Sequence, residues 1–323
     1  MDGMTSTVDG ALTAEQLETL RGPLTGYCYR MLGAAADTDD AVQESIVRAY
    51  RHRDRFDPTR ARLSTWVHAI ATNVCLDLLR AAPRRALLSG LDPAQPGDPL
   101  GVPLPPDRWV EPMPSTRVLA SDPADRVAQR ETVRLAFIAA LQQLAPRQRA
   151  ALLLRDVLAF SAAETATILE TTVPAVNSAL QRARAVLDAE RPSPDGLTDP
   201  DDPQHRELLQ RYVIAFESHD IPALTALLRE DAASTMPPFA WWLRGRDAVT
   251  AAMGAADACA GDRLLLVELN GGLGLAQYRP ADDGVLEPFA LIEVEVRGSL
   301  ISRCTTFLGS GARFTEFGLP AHP

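Results

Sequence analysis

Residues 144 to 189, LAPRQRAALLLRDVLAFSAAETATILETTVPAVNSALQRARAVLDA, constrain the fold more tightly than any other stretch of this chain. Pro146 stands where a first-turn proline is tolerated, and Ser161 with Glu164 forms an S-x-x-E capping box. Thr172 and Pro174 then restart the chain as a new helix after a short turn. The spacing predicts a helix followed by a helix-turn-helix. On its last helix Val176, Leu180, Ala183 and Leu187 recur at helical spacing and face inward. Ala175, Asn177, Ser178, Gln181, Arg182 and Arg184 lie off that stripe. Amides and guanidinium groups on an outward helix face suit the edges and phosphates of a major groove. A plain helical hairpin with a solvated arginine face has the same pattern, so the upstream residues bear on the choice.

Residues 21 to 90 form a second helical block. In ADTDDAVQESIVRAYRH the apolar stripe is Val42, Ile46, Ala49 and Tyr50, with Asp40, Gln43 and Glu44 off it. Asp40 and Glu44 are one turn apart, a repulsive spacing that a basic partner surface would relieve. A solvated face with a Glu44–Arg48 pair is the alternative. After the turn FDPTRAR, Ser64 is placed to cap a helix with Val67, Ile70, Ala71, Val74 and Leu78 inward. Trp66, Asn73 and Arg80 recur by sevens along one flank, beyond which Arg84 and Arg85 add charge. An aromatic platform beside amide and guanidinium groups is what single-strand binding uses, although a tryptophan at a helix start also serves as a core anchor.

In this order the blocks resemble the extracytoplasmic-function group of sigma-70 family RNA polymerase sigma factors. DAVQE with VRAYRH is similar to that family's region 2.2, RLSTWVHAIATNVCLDLLR to regions 2.3 and 2.4, and the helix-turn-helix segment to region 4. The resemblance covers roughly the first 190 residues. It implies that Asp40, Gln43 and Glu44 face the beta-prime clamp helices of core polymerase, with the beta flap as a further contact. It places Arg62, Ser64, Trp66, Asn73 and Arg80 near the opened −10 element. It sends Ala175, Asn177, Ser178, Gln181, Arg182 and Arg184 into or beside the −35 major groove. No residue is expected to be catalytic, because the nucleotidyl chemistry belongs to the polymerase.

A formal charge of −10 and a pI near 5.1 argue against general nucleic-acid affinity, since backbone binding needs cations to replace condensed counterions. The charge is regional. Residues 21–90 carry 11 arginines against 7 acids, and residues 126–191 carry 9 against 6. By contrast, residues 92–125 have 2 arginines and 6 acids, and residues 192–323 have 10 and 19. Both DNA modules are basic; linker and tail are acidic. Ten prolines between Pro83 and Pro123 exclude a folded domain there. By the resemblance this segment is the connector that threads polymerase channels, and a plain extended tether fits equally. RPSPDGLTDPDDP, from Arg191 to Pro203, makes a second break.

Beyond it, HRELLQRYVIAFESHD and IPALTALLRED read as helices, and RLLLVELN, LGLAQYR, FALIEVEV and LISRCTTFL as strands, an α+β layout. With SHDIPALTALLREDA and WWLRGRDAV, this tail resembles the SnoaL-like branch of the nuclear transport factor 2-like superfamily, a conical sheet closed by helices. The expected fold is therefore multidomain: two all-α sigma domains and a C-terminal α+β cone. The expected plan is region 2 over 12–90, a linker over 91–125, region 4 over 126–190, a linker over 191–203 and the SnoaL-like domain over 204–323. Some relatives of that domain are enzymes with an Asp or His base, and the candidates here are His219, Asp231, Asp247, Arg246 and Glu293, whose spacing forms no legible constellation. Met236, Phe239, Trp241 and Trp242, with Arg246 and Glu293, line either a small-ligand pocket or an interdomain contact.

LNGGLG, from Leu269 to Gly274, lacks a following helix and reads as a hairpin turn. Cys28, Cys75, Cys259 and Cys304 lack ligand spacing, so neither metal nor cofactor is expected and the thiols are read as reduced. No signal peptide or membrane-spanning run is present, and a cytoplasmic location is the expectation.

Overall fold

The computed structural model describes residues 12–81, 85, 92–120, 122–190, 202–255 and 259–323. Thr13 opens α1 (Ala14–Glu18) with a capping box: its hydroxyl accepts from Gln16 N and the Gln16 side chain accepts from Thr13 N. α2 (Arg21–Leu32) stops at Gly33, whose left-handed φ of 75° costs a glycine nothing. With α3 (Ala35–Arg51) and α4 (Leu63–Ala81) it forms a bundle around Leu24, Tyr27, Met31, Val42, Val67 and Val74. Two residues expected inside are not. Tyr50 is 43% exposed beneath Arg53, and Leu78 is 38% exposed; each sits in the last turn of its helix, past the cover of its neighbours. α4 begins at Leu63, so Ser64 lies in its first turn and is not the cap.

The described part of the proline-rich linker, 92–120, is docked on the rest of the chain, mostly exposed over 92–108 and mostly buried from Val110 on, and is not a free tether. Val110 and Met113 are wholly buried, and a short helix α5 (Ser115–Val118) ends the segment. Proline has no N–H, so few donors need satisfying, and those of Ala94 and Leu104 find Trp242 O and Pro238 O at 2.8 Å in the tail domain.

α6 (Pro123–Val133), α7 (Leu135–Gln142) and α8 (Pro146–Leu152) follow, α8 running on as a π turn over Leu153–Val157. The helix-turn-helix is α9 (Ala162–Ile168) and α10 (Val173–Glu190). Local chemistry sets both starts: Ser161 Oγ accepts from Glu164 N at 3.1 Å, Ser161 N donates to Glu164 Oε2 at 2.8 Å, and Thr172 Oγ1 accepts from Ala175 N. Val176, Leu180, Ala183 and Leu187 are buried. Two buried arginines tie the helical groups together through carbonyls. Arg30 donates to Gly26 O and to Thr132 on α6, its pKa lowered to about 10 by burial. Arg149 on α8 donates to Met31 O and to Gln142.

The tail starts with α11 (Pro203–Glu217) and α12 (Ile221–Leu227). The expected second helix stops early: Leu228 turns extended and LREDAAST becomes β1 (Leu228–Thr235), because parallel pairing with the last strand overrides helix propensity. β2 (Trp242–Arg244), α13 (Arg246–Gly254), β3 (Arg263–Leu269), β4 (Gly272–Pro280), β5 (Leu286–Arg297) and β6 (Leu300–Leu308) complete it. The sheet order is β2-β1-β6-β5-β4-β3. One face packs on α11–α13 through Leu208, Tyr212, Leu275, Ile292 and Val294. The other, through Leu269, Ala276, Tyr278, Leu291 and Phe307, joins the core of the helical modules. Double cover explains why β4 is buried almost continuously. Among the described residues no helix is long and apolar enough to cross a membrane.

Candidate nucleic-acid interface and its interdomain plug

The outward face of α10 is open: Ala175, Asn177, Ser178, Gln181, Arg182 and Arg184 are all exposed. Its arginines differ. Arg184 forks onto Asp156, with Nε and Nη2 at 3.0 and 2.7 Å from the two carboxylate oxygens, and that bond raises its pKa. Arg182 has no such tether among the described residues.

On α4, Trp66, Asn73 and Arg80 do share a flank; Trp66 is half-buried against Phe56, Asn73 is exposed, and Arg80 pairs with Asp77 at 2.5 Å. Ser64 sits beside them with its carbonyl 2.7 Å from His68 Nδ1. The start of this helix lies against the helix-turn-helix. Arg62 Nη2 is 2.6 Å from Glu164 Oε1, and the guanidinium is 5.9 Å from the Phe160 ring. Thr65 donates to the same carboxylate at 3.3 Å, and His68 meets Phe160 edge-on. The Arg62 bond and the Ser161 cap hold Glu164 down to about 2. Arg84 lies outside the described residues, whereas Arg85 is buried and paired with Asp37 at 2.5 Å. On α3, Asp40 and Gln43 are exposed, and Glu44 is bonded to Arg48 at 2.6 Å.

In the tail, His219 is exposed with φ 52°, and Asp220 caps α12 by accepting from Ala223 N at 2.9 Å. Asp231 pairs with Arg229, and Asp247 is exposed; these groups do not converge. No group of three or more His, Cys, Asp or Glu suited to a metal occurs among the described residues. Met236, Phe239, Trp241 and Trp242 gather where the linker crosses: Trp241 Nε1 donates to Asp98 O at 3.3 Å, and Pro103 bridges to Phe239. Arg246 opens α13. Glu293 shares the sheet face of Leu291, towards the helical modules; burial, then Glu295, pushes its pKa up to about 7 against the pull of Arg303, Thr305 and Arg134.

A link between the modules lies in a segment whose sequence announces only a turn. Asn270 and Gly271, at φ 49° and 74°, cap the β3–β4 hairpin, and Asn270 is 2% exposed. Its N–H donates to Met113 O at 2.9 Å and its Oδ1 accepts from Met113 N at 2.8 Å. Its Nδ2 donates to the Tyr29 hydroxyl at 2.6 Å and to Val133 O at 2.8 Å, and Gly271 N donates to Ser115 Oγ at 3.0 Å. A Cβ on Gly271 would meet Val133 Cγ2 at 3.0 Å, besides the strain of its positive φ. One turn thus plugs into α2, the linker and α6. An Asn-Gly pair signals a hairpin, but nothing local tells what the asparagine will touch.

Comparison with known proteins agrees with this layout. Residues 17–85 match the Sigma-70 region 2 model and residues 134–187 the Sigma-70 region 4 model. The ECF RNA polymerase sigma factor SigG of Mycobacterium tuberculosis is 42% identical over 311 residues, 94% of this chain and 82% of that protein. SigJ of the same species is 30% identical over 225 residues, 69% of this chain and 64% of that protein. The crystal structure of SigJ superposes with a TM-score of 0.60 at 23% identity, covering 95% of this chain and all of that one. With regions 2 and 4 in order and a relative 42% identical across 94% of this chain, the chain belongs to the ECF sigma factors, the transcription initiation factors that direct RNA polymerase to alternative promoters.

Proposed function

We propose that the α3 face of Asp40, Gln43 and Glu44 contacts the beta-prime clamp helices, that the α4 flank of Arg62, Ser64, Trp66, Asn73 and Arg80 holds the opened −10 element, and that the α10 face from Ala175 to Arg184 reads the −35 element. The observation that carries this is the exposure of the α10 face and of Asp40, Gln43, Asn73 and Arg80 while the apolar stripes behind them are buried except at Tyr50, Ile70 and Leu78. The domain plan is region 2 over 12–90, region 4 over 126–190 and a regulatory tail over 204–323. The location that goes with it is cytoplasmic. Run-off transcription with purified core polymerase tests it: the wild type initiates at its promoter, and Asp40→Arg with Glu44→Arg abolishes holoenzyme assembly without unfolding. A double variant that assembles normally assigns that face to solvent.

The tail acts in cis. Support comes from the Asn270 turn, which bonds to α2, the linker and α6 at once, and from the linker lying along Phe239, Trp241 and Trp242. Truncation after Pro203 changes promoter-dependent transcription while core binding persists. Unchanged transcription, with turnover or binding of a small molecule by the isolated tail, makes it a ligand-handling module instead.

A further inference from the structure

α10 carries only two arginines, Arg182 and Arg184, and they stand in different states. By helical period Arg182 lies beside Ser178, near the middle of the face opposite the buried stripe of Val176, Leu180, Ala183 and Leu187. Arg184 lies on the flank of that face, in line with Asn177 and two turns beyond it. The first turns of a recognition helix reach base edges, so a long side chain further along and on the flank reaches phosphate. Instead it meets a carboxylate. Asp156 sits in the π turn, where Leu158 N bonds to Leu153 O at 2.9 Å, five residues back. The turn is pinned beyond it as well: Phe160 N donates to Leu154 O at 2.9 Å, and the Arg155 guanidinium donates to Phe160 O. A carboxylate fixed in this way gives up little freedom on taking the Arg184 fork, at 3.0 and 2.7 Å, even though Arg184 is 56% and Asp156 32% exposed. Asp188, one turn on, adds to the field on Arg184 more weakly. A guanidinium paired in this way brings no net charge to a DNA backbone and releases no counterion from it, whereas a free one does both.

Resting on the −35 reading of α10, we propose that Asp156 is a positioning residue that holds Arg184 back from the phosphates flanking the −35 groove, leaving that groove to Arg182 and the uncharged Asn177, Ser178 and Gln181. Phosphate contacts tighten binding to every sequence alike, and base contacts tighten it only to the right one. Neutralising one cation of a two-arginine helix therefore lowers the hold of region 4 on DNA in general, and retention at a promoter depends on the bases that the remaining side chains meet.

The experiment measures equilibrium binding of the full-length protein, assembled with core polymerase, to a promoter fragment on which it initiates and to the same fragment with its −35 element scrambled, across a salt series. Circular dichroism checks that each variant remains folded. Asp156→Ala should tighten binding to both fragments alike and steepen the salt dependence by one phosphate contact, so that its advantage over the wild type grows about threefold as salt falls from about 200 to about 50 mM. Asp156→Glu keeps the carboxylate and should keep the wild-type salt dependence. In an Arg184→Ala background, Asp156→Ala should leave the salt dependence unchanged. An unsteepened salt dependence in Asp156→Ala overturns the proposal. So does a steepening that persists without Arg184, which makes Asp156 a plain repulsive charge, and so does a gain confined to the unscrambled fragment, which makes Arg184 a reader of bases. Arg182→Ala tests the −35 reading separately: loss of the preference for the unscrambled fragment upholds that reading whatever Asp156 does, and an undiminished preference overturns it and the proposal with it.

Discussion

Replacing Asn270 by alanine removes three side-chain hydrogen bonds from a site that water does not reach: the acceptor for Met113 N and the donors to Tyr29 Oη and Val133 O. The losses are unequal. Tyr29 keeps Glu111 O as its own acceptor at 2.8 Å, and burial pushes its pKa up, so the hydroxyl stays a proton donor and loses only one incoming bond. Met113 N loses the side-chain acceptor that satisfies it, and a buried unmatched donor costs about 1–3 kcal/mol. Adding about 0.5–1.5 kcal/mol for each of the other two bonds and about 1 kcal/mol for alanine at a left-handed φ gives a total on the order of 3–7 kcal/mol. The main-chain bond to Met113 O remains available. Since every lost partner belongs to a helical module or the linker, the cost falls on docking of the tail, whose undocked fraction rises by about two to five orders of magnitude. Hydrogen exchange at Met113 and Gly271 should accelerate accordingly, and proteolytic cleavage of the linker should follow, while exchange within β4 and β5 stays slow. Asn270→Gly separates the contributions: it removes the same bonds without the φ penalty and should be slightly less severe. Native-like exchange at Met113 in Asn270→Ala would refute the reasoning.

The two helix-turn-helix arginines should behave differently: Arg182→Ala loses about 1–3 kcal/mol of −35 binding measured by footprinting, whereas Arg184→Ala, already tethered to Asp156, loses less, and equal losses would contradict that tether. Trp66→Ala should remove about 1–3 kcal/mol of single-strand binding, transcribe duplex promoters poorly and be rescued on a template already open at −10. Equal activity on both templates returns Trp66 to the role of a core anchor beside Phe56. Glu293 has a folded-state pKa of about 7, raised above its unfolded value, so the native state holds the extra proton and stability falls as pH rises from about 4.5 to about 7. Partial exposure reduces the effect to on the order of 1–2 kcal/mol, and denaturant melts of Glu293→Gln should show this slope gone.

Features whose cause lies within a few residues were legible in the chain. Ser161 with Glu164, Thr172 and Pro146 mark helix starts because the bonds that satisfy a helix end come from residues three apart, and the stripe of Val176, Leu180, Ala183 and Leu187 follows from helical period alone. The order of the two basic blocks likewise pointed to the family. Tertiary structure decided the rest, wherever a residue's partner lies far along the chain. LRED favours a helix until β6 offers it a strand to pair with, and Tyr50 and Leu78 fit their stripes but outrun their cover. Nothing near Arg62 announces Glu164, 102 positions away, nor does anything near Glu293 announce the helical modules behind its sheet. Asn270 shows the limit most plainly: its sequence neighbours specify the turn, but its partners at Tyr29, Met113 and Val133 exist only once α2, the linker and α6 have been brought together, so its role is a property of the assembled interface.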